Sequence, residues 1–367
     1  MDDAKKISEI IKTNLDRDIE PKDIDFGQYQ MHKHNLAEML EANRRYLGQM
    51  DLNVNSPLVW EFYEETLSKL ASYGASIVRL DAFAYDAKYP GRKNFFNEPE
   101  TWDILSRLKK IADKKNIKLL PEIHSRYEEK VHSKIAQKGY MTYDFFFPGL
   151  LIDALERKTA VTLKKWIDEI LSENIQCVNM LGCHDGIPLL DLKGLLGDAQ
   201  IQSLIDIVVK RGGHVKDLHG KKNMYYQVNA AYFSALGESE KRLVFARSLQ
   251  MFMPGKPQVW YLDLLAGVND YDAVKKAGVG GHKEINRTNL TFEDASLRLD
   301  KDVVKKQIEL IRLRKNHPAF AAGAKVTAQL KEDSVLEISW QNKKAGIELT
   351  ADFENADYSI REFDLPE

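Results

Sequence analysis

Three short apolar stretches of this chain each lead into a carboxylate. Residues 77–80 precede Asp81, residues 117–121 precede Glu122, and residues 178–184 precede Asp185. Each stretch has the length and the aliphatic content of a strand buried inside a sheet. In a parallel sheet, side chains that follow the carboxyl ends of the strands meet at one edge. We therefore expect the three acids to converge on one site.

Helical and strand patterns alternate through most of the chain, which predicts an α/β fold with a parallel sheet. The predicted helices lie near 56–73, 100–115, 160–171, 198–211, 239–252 and 302–316. The predicted strands lie at 75–80, 117–122, 141–146, 176–182 and 257–262. A closed (β/α)8 barrel has eight such strands, so this pattern predicts an incomplete barrel.

The helix before Asp81 has a clear start and end. Ser56 offers a side-chain cap, and Pro57 needs no amide partner in the first turn. Gly74 suits the residue that ends a helix. The strand at 75–80 is then expected to be buried on both faces. One apolar face of the helix is predicted to pack inward; it comprises Val59, Phe62, Tyr63, Leu67 and Leu70.

The pattern divides the chain into three parts. Residues 1–48, with helical spacing at 4–14 and 31–47, form a helical N-terminal segment. Residues 49–317 hold the partial barrel. Residues 318–367 contain four short β-rich runs, which predict a small antiparallel C-terminal domain. Within the barrel part, Gly212-Gly213 and a Lys/His-rich centre predict a loop and a helix across 186–237.

Composition argues against several classes of protein. The 367 residues carry a formal net charge of −2, and their lysine clusters are interleaved with acids, so a nucleic-acid surface is not predicted. The N-terminus lacks the apolar stretch of a signal peptide, and no stretch is long and apolar enough to span a bilayer. Cys177 and Cys183 give no disulfide framework and are predicted to be free and buried. We expect a cytoplasmic protein.

Two of the acids fit the cleavage of a glycosidic bond with retention. Such enzymes use one carboxylate as nucleophile and a second carboxyl group that donates and then retrieves a proton. Asp81 is the candidate nucleophile, because Arg79 faces the same side of the strand and favours the charged carboxylate. Glu122 is the candidate acid/base, at the end of a strand where Pro121 cannot donate a ladder hydrogen bond. The residues alone also allow a structural ion pair, a loop glutamate and an Asp-Gly turn at Asp185.

The motifs around the acids resemble three of the four signature regions of the α-amylase superfamily, glycoside hydrolase family 13. They are Arg79-Leu80-Asp81-Ala82, Pro121-Glu122-Ile123-His124 and His184-Asp185-Gly186. Later segments follow in the order of the sucrose phosphorylases, namely Tyr226-Gln227-Val228-Asn229, Pro257-Gln258-Val259-Trp260-Tyr261 and Ile285-Asn286-Arg287. The resemblance runs from about Gln49 to the C-terminus, and residues 1–48 do not resemble the family's N-terminal third. It implies a TIM-type barrel with a C-terminal β domain.

The resemblance also implies roles for single residues. Asp185 and His184 would grip the ring hydroxyls of the sugar as positive charge develops in the transition state. Positions of the glucosyl pocket match Arg79, Tyr85, His124, Arg287 and Gln49. Arg287 is predicted to lack the acidic partner that it has in the family. No cofactor is implied, and nothing has the spacing of metal ligands.

The acceptor side of the site is predicted from a loop. Tyr226 and Gln227 match the mobile loop that meets the fructosyl group or phosphate in the family. His219, Lys221 and Lys222 precede it, and basic residues there would suit a phosphorylated sugar. A solvated lysine pair, or ordinary loop packing, is the alternative for these positions.

The reaction that the resemblance implies is α-glucosyl transfer by phosphorolysis. Sucrose or sucrose 6′-phosphate would react with inorganic phosphate to give α-glucose 1-phosphate. A hydrolase of the α-glucosidase type and a glucosylglycerate phosphorylase stay open. An inactive or partner-dependent barrel also stays open, because five strands leave a sheet edge that an oligomer or a separate N-terminal piece would have to cover. A sugar-binding module without chemistry is the third class.

Overall fold

A computed structural model of the chain describes residues 2–15, 19–42, 52–89, 92, 95–217, 225–278, 281–343 and 345–365. The chain divides into two compact units, Met1–Asn53 and Val54–Glu367. The first unit holds α1 (Asp2–Leu15) and α2 (Lys33–Ala42), close to the helices predicted there. The division of the chain at 48 and 317 stays a prediction.

The second unit contains the helices and strands on which the candidate site depends. Its helices are α3 (Pro57–Ser72), α4 (Glu100–Asp113), α5 (Val131–Gln137), α6 (Phe147–Arg157), α7 (Val161–Ser172), α8 (Asp198–Lys210), α9 (Tyr232–Ala235), α10 (Glu240–Phe252), α11 (Tyr261–Leu264), α12 (Tyr271–Ala277), α13 (Phe292–Leu299) and α14 (Asp302–Asn316). Its strands are β1 (Ile77–Leu80), β2 (Lys118–Pro121), β3 (Thr142–Asp144), β4 (Cys177–Met180), β5 (Ile187–Pro188), β6 (His214–Asp217), β7 (Tyr225–Asn229), β8 (Lys256–Gln258), β9 (Lys325–Glu332), β10 (Val335–Asn342), β11 (Ala345–Asp352) and β12 (Asp357–Asp364). None of the described helices combines the length and hydropathy needed to cross a membrane.

The five predicted strands form and run parallel, although each is shorter than predicted. β1 pairs with β2, and β4 pairs with β3 on one side and β8 on the other. The five strands thus form two sheets, β1-β2 and β3-β4-β8, which meet where β2 contacts β3. Within each sheet the strands point the same way, so their carboxyl ends lie at one edge of that sheet, and residues from the ends of both sheets line one pocket.

Three expectations for the segment before Asp81 were wrong. Strand β1 is half-buried along its length rather than buried on both faces, because within the described residues it has a partner strand on one edge only. Ser56 is the N-cap residue of α3, but its side chain makes no capping hydrogen bond. Trp60 rather than Phe62 turns inward, since its indole donates to the Val54 carbonyl, and Phe62 remains 53% exposed.

The loop predicted across 186–237 contains a small antiparallel sheet as well as the expected helix. β7 pairs with β5 on one side and β6 on the other. Gly212, at a φ of +89°, ends α8 and turns the chain into β6. The predicted helix near 198–211 is confirmed, and Gly212-Gly213 lies at the junction between this helix and β6. Residues 218–224 lie outside the described part.

The C-terminal antiparallel domain is confirmed as a four-stranded sheet in the order β12, β11, β10, β9. One face packs on α10 and α14 and joins the large core of the unit. The buried side chains of this face include Leu336, Ile338, Ile347 and Leu349. The Trp340 indole donates to the Phe252 carbonyl at 2.7 Å, which fixes the sheet against the end of α10. The fold is thus α/β and helix-rich, with a C-terminal antiparallel sheet.

Arg314 joins α14 to the region around β8 and to the C-terminal sheet. Its guanidinium donates to the carbonyls of Met251 and Gly255 and lies 4.1 Å from the Trp340 ring centroid. Replacing Arg314 by methionine is expected to lower the free energy of unfolding by about 2–3 kcal/mol, because two carbonyls lose their donors and a cation–π contact disappears. Urea unfolding measures the change. The exposed Arg312 on the same helix, changed to methionine, is the control; equal losses in both variants would contradict this role.

Candidate active site

One pocket collects side chains from the carboxyl ends of all five parallel strands. Arg79 comes from β1, Glu122 follows β2, Tyr143 lies on β3, Met180 on β4 and Gln258 on β8. The loop after β4 completes one wall. The further lining residues are His124, Phe145, Pro148, Leu181, Gly182, Cys183, His184, Asp185, Gly186, Ile187, Pro188 and Ala230.

Arg79 connects two of the predicted acids. One terminal nitrogen of its guanidinium lies 2.5 Å from Asp81 Oδ1, and the other lies 2.7 Å from Glu122 Oε2. Burial acts to lower the pKa of Arg79, but the charges of Glu122 and Asp81 raise it above its ordinary value. The guanidinium therefore stays charged and holds both carboxylates as close neighbours.

The two carboxylates differ in their exposure. The Glu122 side chain is 11% exposed, and its Oε2 also accepts from the Ala82 amide at 2.8 Å. Ala82 has a left-handed backbone, with a φ of +46°, which directs its amide toward Glu122. The Asp81 side chain is 72% exposed and lies at the rim, bound to Arg79 rather than lining the pocket itself.

His124 occupies the wall next to Glu122. Its Nδ1 lies 2.9 Å from Asp191 Oδ2, and its Nε2 lies 3.8 Å from Glu122 Oε1. The ring stacks on Phe145 with centroids 3.8 Å apart. Burial raises the pKa of Asp191, and His124 opposes that shift. Asp191 thus orients the imidazole toward Glu122, which sequence reasoning missed because the two residues meet only through the fold.

Another part of the pocket wall carries a half-buried, charged Asp185. Lys283 Nζ lies 2.5 Å from its Oδ1, and Arg287 and His184 lie within 3.5 Å of the carboxylate. Burial acts to raise the pKa of Asp185, but the hydrogen bond and charge of Lys283, with His184 and Arg287, hold it below its ordinary value. The carboxylate is therefore ionised at neutral pH and can accept hydrogen bonds from hydroxyl groups.

Arg287 has partners, contrary to the expectation that it would lack one. Its Nε donates to the His184 carbonyl at 2.7 Å, and its terminal nitrogens lie 3.4 Å from Asp185 and from Glu284. The preceding Asn286 donates to the Cys183 and Asp185 carbonyls at 2.8 Å. The segment ending in Arg287 thus holds the loop that carries Asp185.

Two predicted pocket residues lie elsewhere. Tyr85 is 43% exposed and packs on Phe95, because the turn after Ala82 carries it away from the pocket. Gln227 lies on β7 of the small antiparallel sheet. Its side chain is buried, with its amide nitrogen 3.4 Å from Asn229 Oδ1. The other predicted positions fall outside what the structure describes, either entirely or for the side chain; they are Gln49, His219, Lys221, Lys222 and Tyr226.

Cys177 and Cys183 are free thiols, as predicted, but only Cys177 is fully buried. Cys183 reaches the pocket wall, where its sulfur accepts from the Asp185 amide at 3.3 Å. Burial raises the pKa of Cys183 to about 12, so its thiol stays protonated. The described residues contain no cluster of three or more His, Cys, Asp or Glu side chains arranged to hold a metal ion.

Lys283 is a site residue that the sequence reading passed over, although it stands beside the Ile285-Asn286-Arg287 motif. Replacing Lys283 by methionine is expected to raise the pKa of Asp185, since burial would then act against fewer opposing charges. Because the folded pKa is lowered, Asp185 stabilises the protein above its unfolded pKa of about 3.9, and this is lost as pH falls. A ¹³C carboxyl titration, assigned with Asp185→Asn, measures the shift. Lys283→Arg should retain the low value, and an unchanged pKa in the methionine variant would refute the assignment.

Comparisons with known proteins place these residues in a family. No family model matched the chain. The sucrose 6(F)-phosphate phosphorylase of Ilumatobacter coccineus is 52% identical over 333 residues, covering 88% of this chain and 63% of that protein. The chain thus spans less than two thirds of the length of this curated relative.

Solved structures agree in fold. The crystal structure of sucrose 6F-phosphate phosphorylase from Thermoanaerobacter thermosaccharolyticum has a TM-score of 0.78 and 35% sequence identity, covering 85% of this chain and 63% of that one. The α-amylase from H. orenii is similar in fold alone, with a TM-score of 0.53 and 14% identity over 84% of this chain and 57% of that one. Over the part that matches, this chain belongs to the sucrose phosphorylase subfamily of the α-amylase superfamily, glycoside hydrolase family 13.

Proposed function

We propose that this chain carries the active site of a retaining α-glucosyl transferase that phosphorolyses sucrose 6′-phosphate or sucrose. The observation that carries the proposal is the bridge from Arg79 to both Asp81 and Glu122 at the edge of a pocket that Asp185 also lines. The similarity to a sucrose 6(F)-phosphate phosphorylase favours the phosphorylated donor. The reaction requires a sugar donor and inorganic phosphate.

The five parallel strands are proposed to be part of a (β/α)8 barrel of the TIM type. The parallel pairing within both sheets supports this proposal, as does a pocket lined from the carboxyl end of each strand. Active sites of such barrels lie at that end. The same arrangement would explain why residues far apart in sequence approach one sugar.

In the first step Asp81 attacks the anomeric carbon of the glucosyl unit. The fructosyl oxygen departs and takes the proton of Glu122, and a β-glucosyl–Asp81 ester forms. Retaining enzymes need their two carboxyl groups about 5–5.5 Å apart. A single guanidinium that contacts both carboxylates supports such a separation.

In the second step phosphate attacks the anomeric carbon of the glucosyl–Asp81 ester from the face that the fructosyl group left. Glu122 takes the proton of the incoming phosphate oxygen, the bond to Asp81 breaks, and α-glucose 1-phosphate leaves. The low exposure of Glu122 and its distance of 3.8 Å from His124 Nε2 support a group that exchanges a proton inside the pocket. Two inversions at one carbon give net retention.

Asp185 is proposed to hold the ring hydroxyls while oxocarbenium character develops. Its negative charge, kept by Lys283 and Arg287, would strengthen these contacts as the sugar ring becomes positive. His184 neighbours the carboxylate at 3.5 Å and lines the same wall. His124, Tyr143 and Phe145 present stacked rings suited to the apolar face of a sugar.

The phosphate of a phosphorylated donor is proposed to bind His219, Lys221 and Lys222, with Tyr226 beside the fructosyl group. Changing both lysines to methionine is expected to raise KM for sucrose 6′-phosphate by about tenfold or more, since two ion pairs to a phosphate are lost. KM for unphosphorylated α-glucosyl fluoride should stay within about twofold. Lys114 and Lys115, a lysine pair far along the sequence, serve as the matched control. Equal effects on both donors would exclude a phosphate site here.

The direct test is to incubate the purified chain with sucrose 6′-phosphate and inorganic phosphate and to assay α-glucose 1-phosphate. Formation of the α-anomer supports the proposal, and a parallel assay with sucrose ranks the two donors. Free glucose without glucose phosphate would favour a hydrolase. A folded chain without turnover would favour the partner-dependent alternative, for which the exposure of the Asp81 side chain is the motivating observation.

A further inference from the structure

The loop after β4 that carries Asp185 rests on a second, buried acid. The Gly182 amide at the start of this loop donates to Asp263 Oδ2 at 2.7 Å. Asp263 lies on α11, and only 1% of it is exposed. Gly182 itself lines the pocket, together with the loop residues 183–186. A carboxylate behind the pocket wall therefore holds the first residue of the loop.

The contact between Asp263 and Gly182 leaves no room for a side chain. A Cβ at Gly182 would lie 2.7 Å and 2.9 Å from the two carboxylate oxygens of Asp263. Because Gly182 has no positive φ, backbone conformation does not demand glycine there, and the close approach of the carboxylate is the reason for it. The position of the loop thus depends both on the carboxylate of Asp263 and on the absence of a side chain at Gly182.

A buried arginine opposes the charge of Asp263. Arg247 on α10 is fully buried, and its charge and that of Asp263 influence each other. Arg247 Nε donates to Gln307 Oε1, and the amide nitrogen of Gln307 donates in turn to the Asp263 carbonyl. Burial raises the pKa of Asp263 to about 6, although the charge of Arg247 acts to lower it. Burying this carboxylate in its charged form therefore lowers the free energy of unfolding.

The same network reaches the parallel strands of the pocket. Arg247 Nη1 donates to Gln250, whose amide nitrogen donates to the carbonyls of Asn179 on β4 and Gln258 on β8. An apolar pair of similar volume would often be as stable as a buried ion pair. What an apolar side chain at 263 could not do is accept the Gly182 amide, which would leave a buried donor unsatisfied.

We propose that Asp263 is a positioning residue, which fixes the loop 182–186 where Asp185 can meet the sugar hydroxyls. This inference rests on the role proposed above for Asp185. It concerns the hydrogen bond that Asp263 accepts from the Gly182 amide and its electrostatic interaction with Arg247, rather than a contact of Asp263 with the sugar. A residue of this kind should affect loop order and sugar affinity beyond its effect on global stability.

Cys183 provides a built-in reporter of loop order, because it lies on the loop and Cys177 is the chain's one other cysteine. Global unfolding exposes both thiols, whereas local opening of the loop exposes Cys183 alone. Alkylation of the folded chain with N-ethylmaleimide, followed by peptide mass spectrometry, gives the ratio of the two rates. We expect Asp263→Ala and Gly182→Ala each to raise the Cys183-to-Cys177 ratio by about tenfold, the scale of one lost buried hydrogen bond.

Matched variants separate positioning from stability. Asp263→Asn retains an acceptor for the Gly182 amide, so its ratio should rise less than that of Asp263→Ala. Glu156→Gln weakens a partly buried contact with Arg211 and Arg242 that involves no residue of the loop 182–186, so it should lower Tm and leave the ratio unchanged. If Asp263→Ala fails to fold, the alkylation ratios of Gly182→Ala and Asp263→Asn decide whether Asp263 holds the loop. An unchanged ratio in the folded variants overturns the inference.

Sugar affinity tests the second part of the proposal, that the ordered loop places Asp185 for sugar binding. Calorimetry with 1-deoxynojirimycin, a glucose-shaped iminosugar, should show affinity about tenfold weaker in Asp263→Ala and unchanged in Glu156→Gln. A raised alkylation ratio with unchanged affinity would overturn the link to Asp185. A parent chain that does not bind the sugar would contradict the proposed function of this chain, while the alkylation ratio still decides whether Asp263 holds the loop.

Discussion

Asp81→Ala is expected to lower kcat/KM for α-glucosyl fluoride by at least about 10⁴-fold, the scale of losing a catalytic nucleophile. Fluoride leaves with little protonation, so this donor examines the nucleophile and the glucosyl pocket without the fructosyl side. The loss follows because no glucosyl ester can form when the carboxylate is absent. Fluoride release, measured with an ion-selective electrode, reports the change.

Azide provides the control for Asp81→Ala. A small anion can enter the space left by the carboxylate and attack the same face of the sugar, which should restore fluoride release and give β-glucosyl azide. An exposed acid on α4, Asp103, changed to alanine, should leave the parent rate unaltered. Undiminished release by Asp81→Ala, or an azide product of α configuration, would show that Asp81 is not the nucleophile.

Glu122→Gln is expected to act according to the leaving group. With sucrose 6′-phosphate, whose fructosyl oxygen needs a proton, kcat/KM should fall by about 10²–10⁴-fold. With α-glucosyl fluoride, kcat/KM should fall by less than about tenfold, because the first step needs no acid. Steady-state kinetics on the two donors gives the comparison directly.

The same variant distinguishes chemistry from architecture. Glu122 also accepts from the Ala82 amide and pairs with Arg79, so its loss could disturb the whole strand end. If Glu122 had only a structural role, the variant would have an equally reduced kcat/KM for both donors and a lower Tm. If kcat/KM falls by the same factor with the two donors, the acid/base role is contradicted, whether or not the variant also has a lower Tm.

Local sequence patterns predicted the elements that depend on nearby residues. The five parallel strands and the helices between them follow from apolar runs and helical spacing, which need no knowledge of distant contacts. The short β-rich runs within 318–367 likewise predicted the C-terminal sheet. The small sheet of β5, β6 and β7 was missed, because β5 has two residues and its partner strand follows long after it in sequence.

The candidate site was predictable where its residues lie in strand-end motifs. Arg79, Glu122, His124 and Asp185 meet at one pocket, as expected from parallel strands that end at one edge. Their partners could not be predicted in this way. Lys283, Asp191 and Asp263 reach the site from elements distant in sequence, and only the folded chain brings them within hydrogen-bonding distance.

The most direct measurement of the central claim is to trap the glucosyl-enzyme ester. The folded chain would be incubated with 5-fluoro-α-D-glucosyl fluoride, whose electron-withdrawing fluorine slows loss of the glucosyl group, and then digested and mapped by mass spectrometry. We predict a single fluoroglucosyl adduct on the peptide that contains Asp81, absent from Asp81→Ala and removed by added phosphate. An adduct on another residue, or none on a folded chain that releases fluoride, would contradict the account.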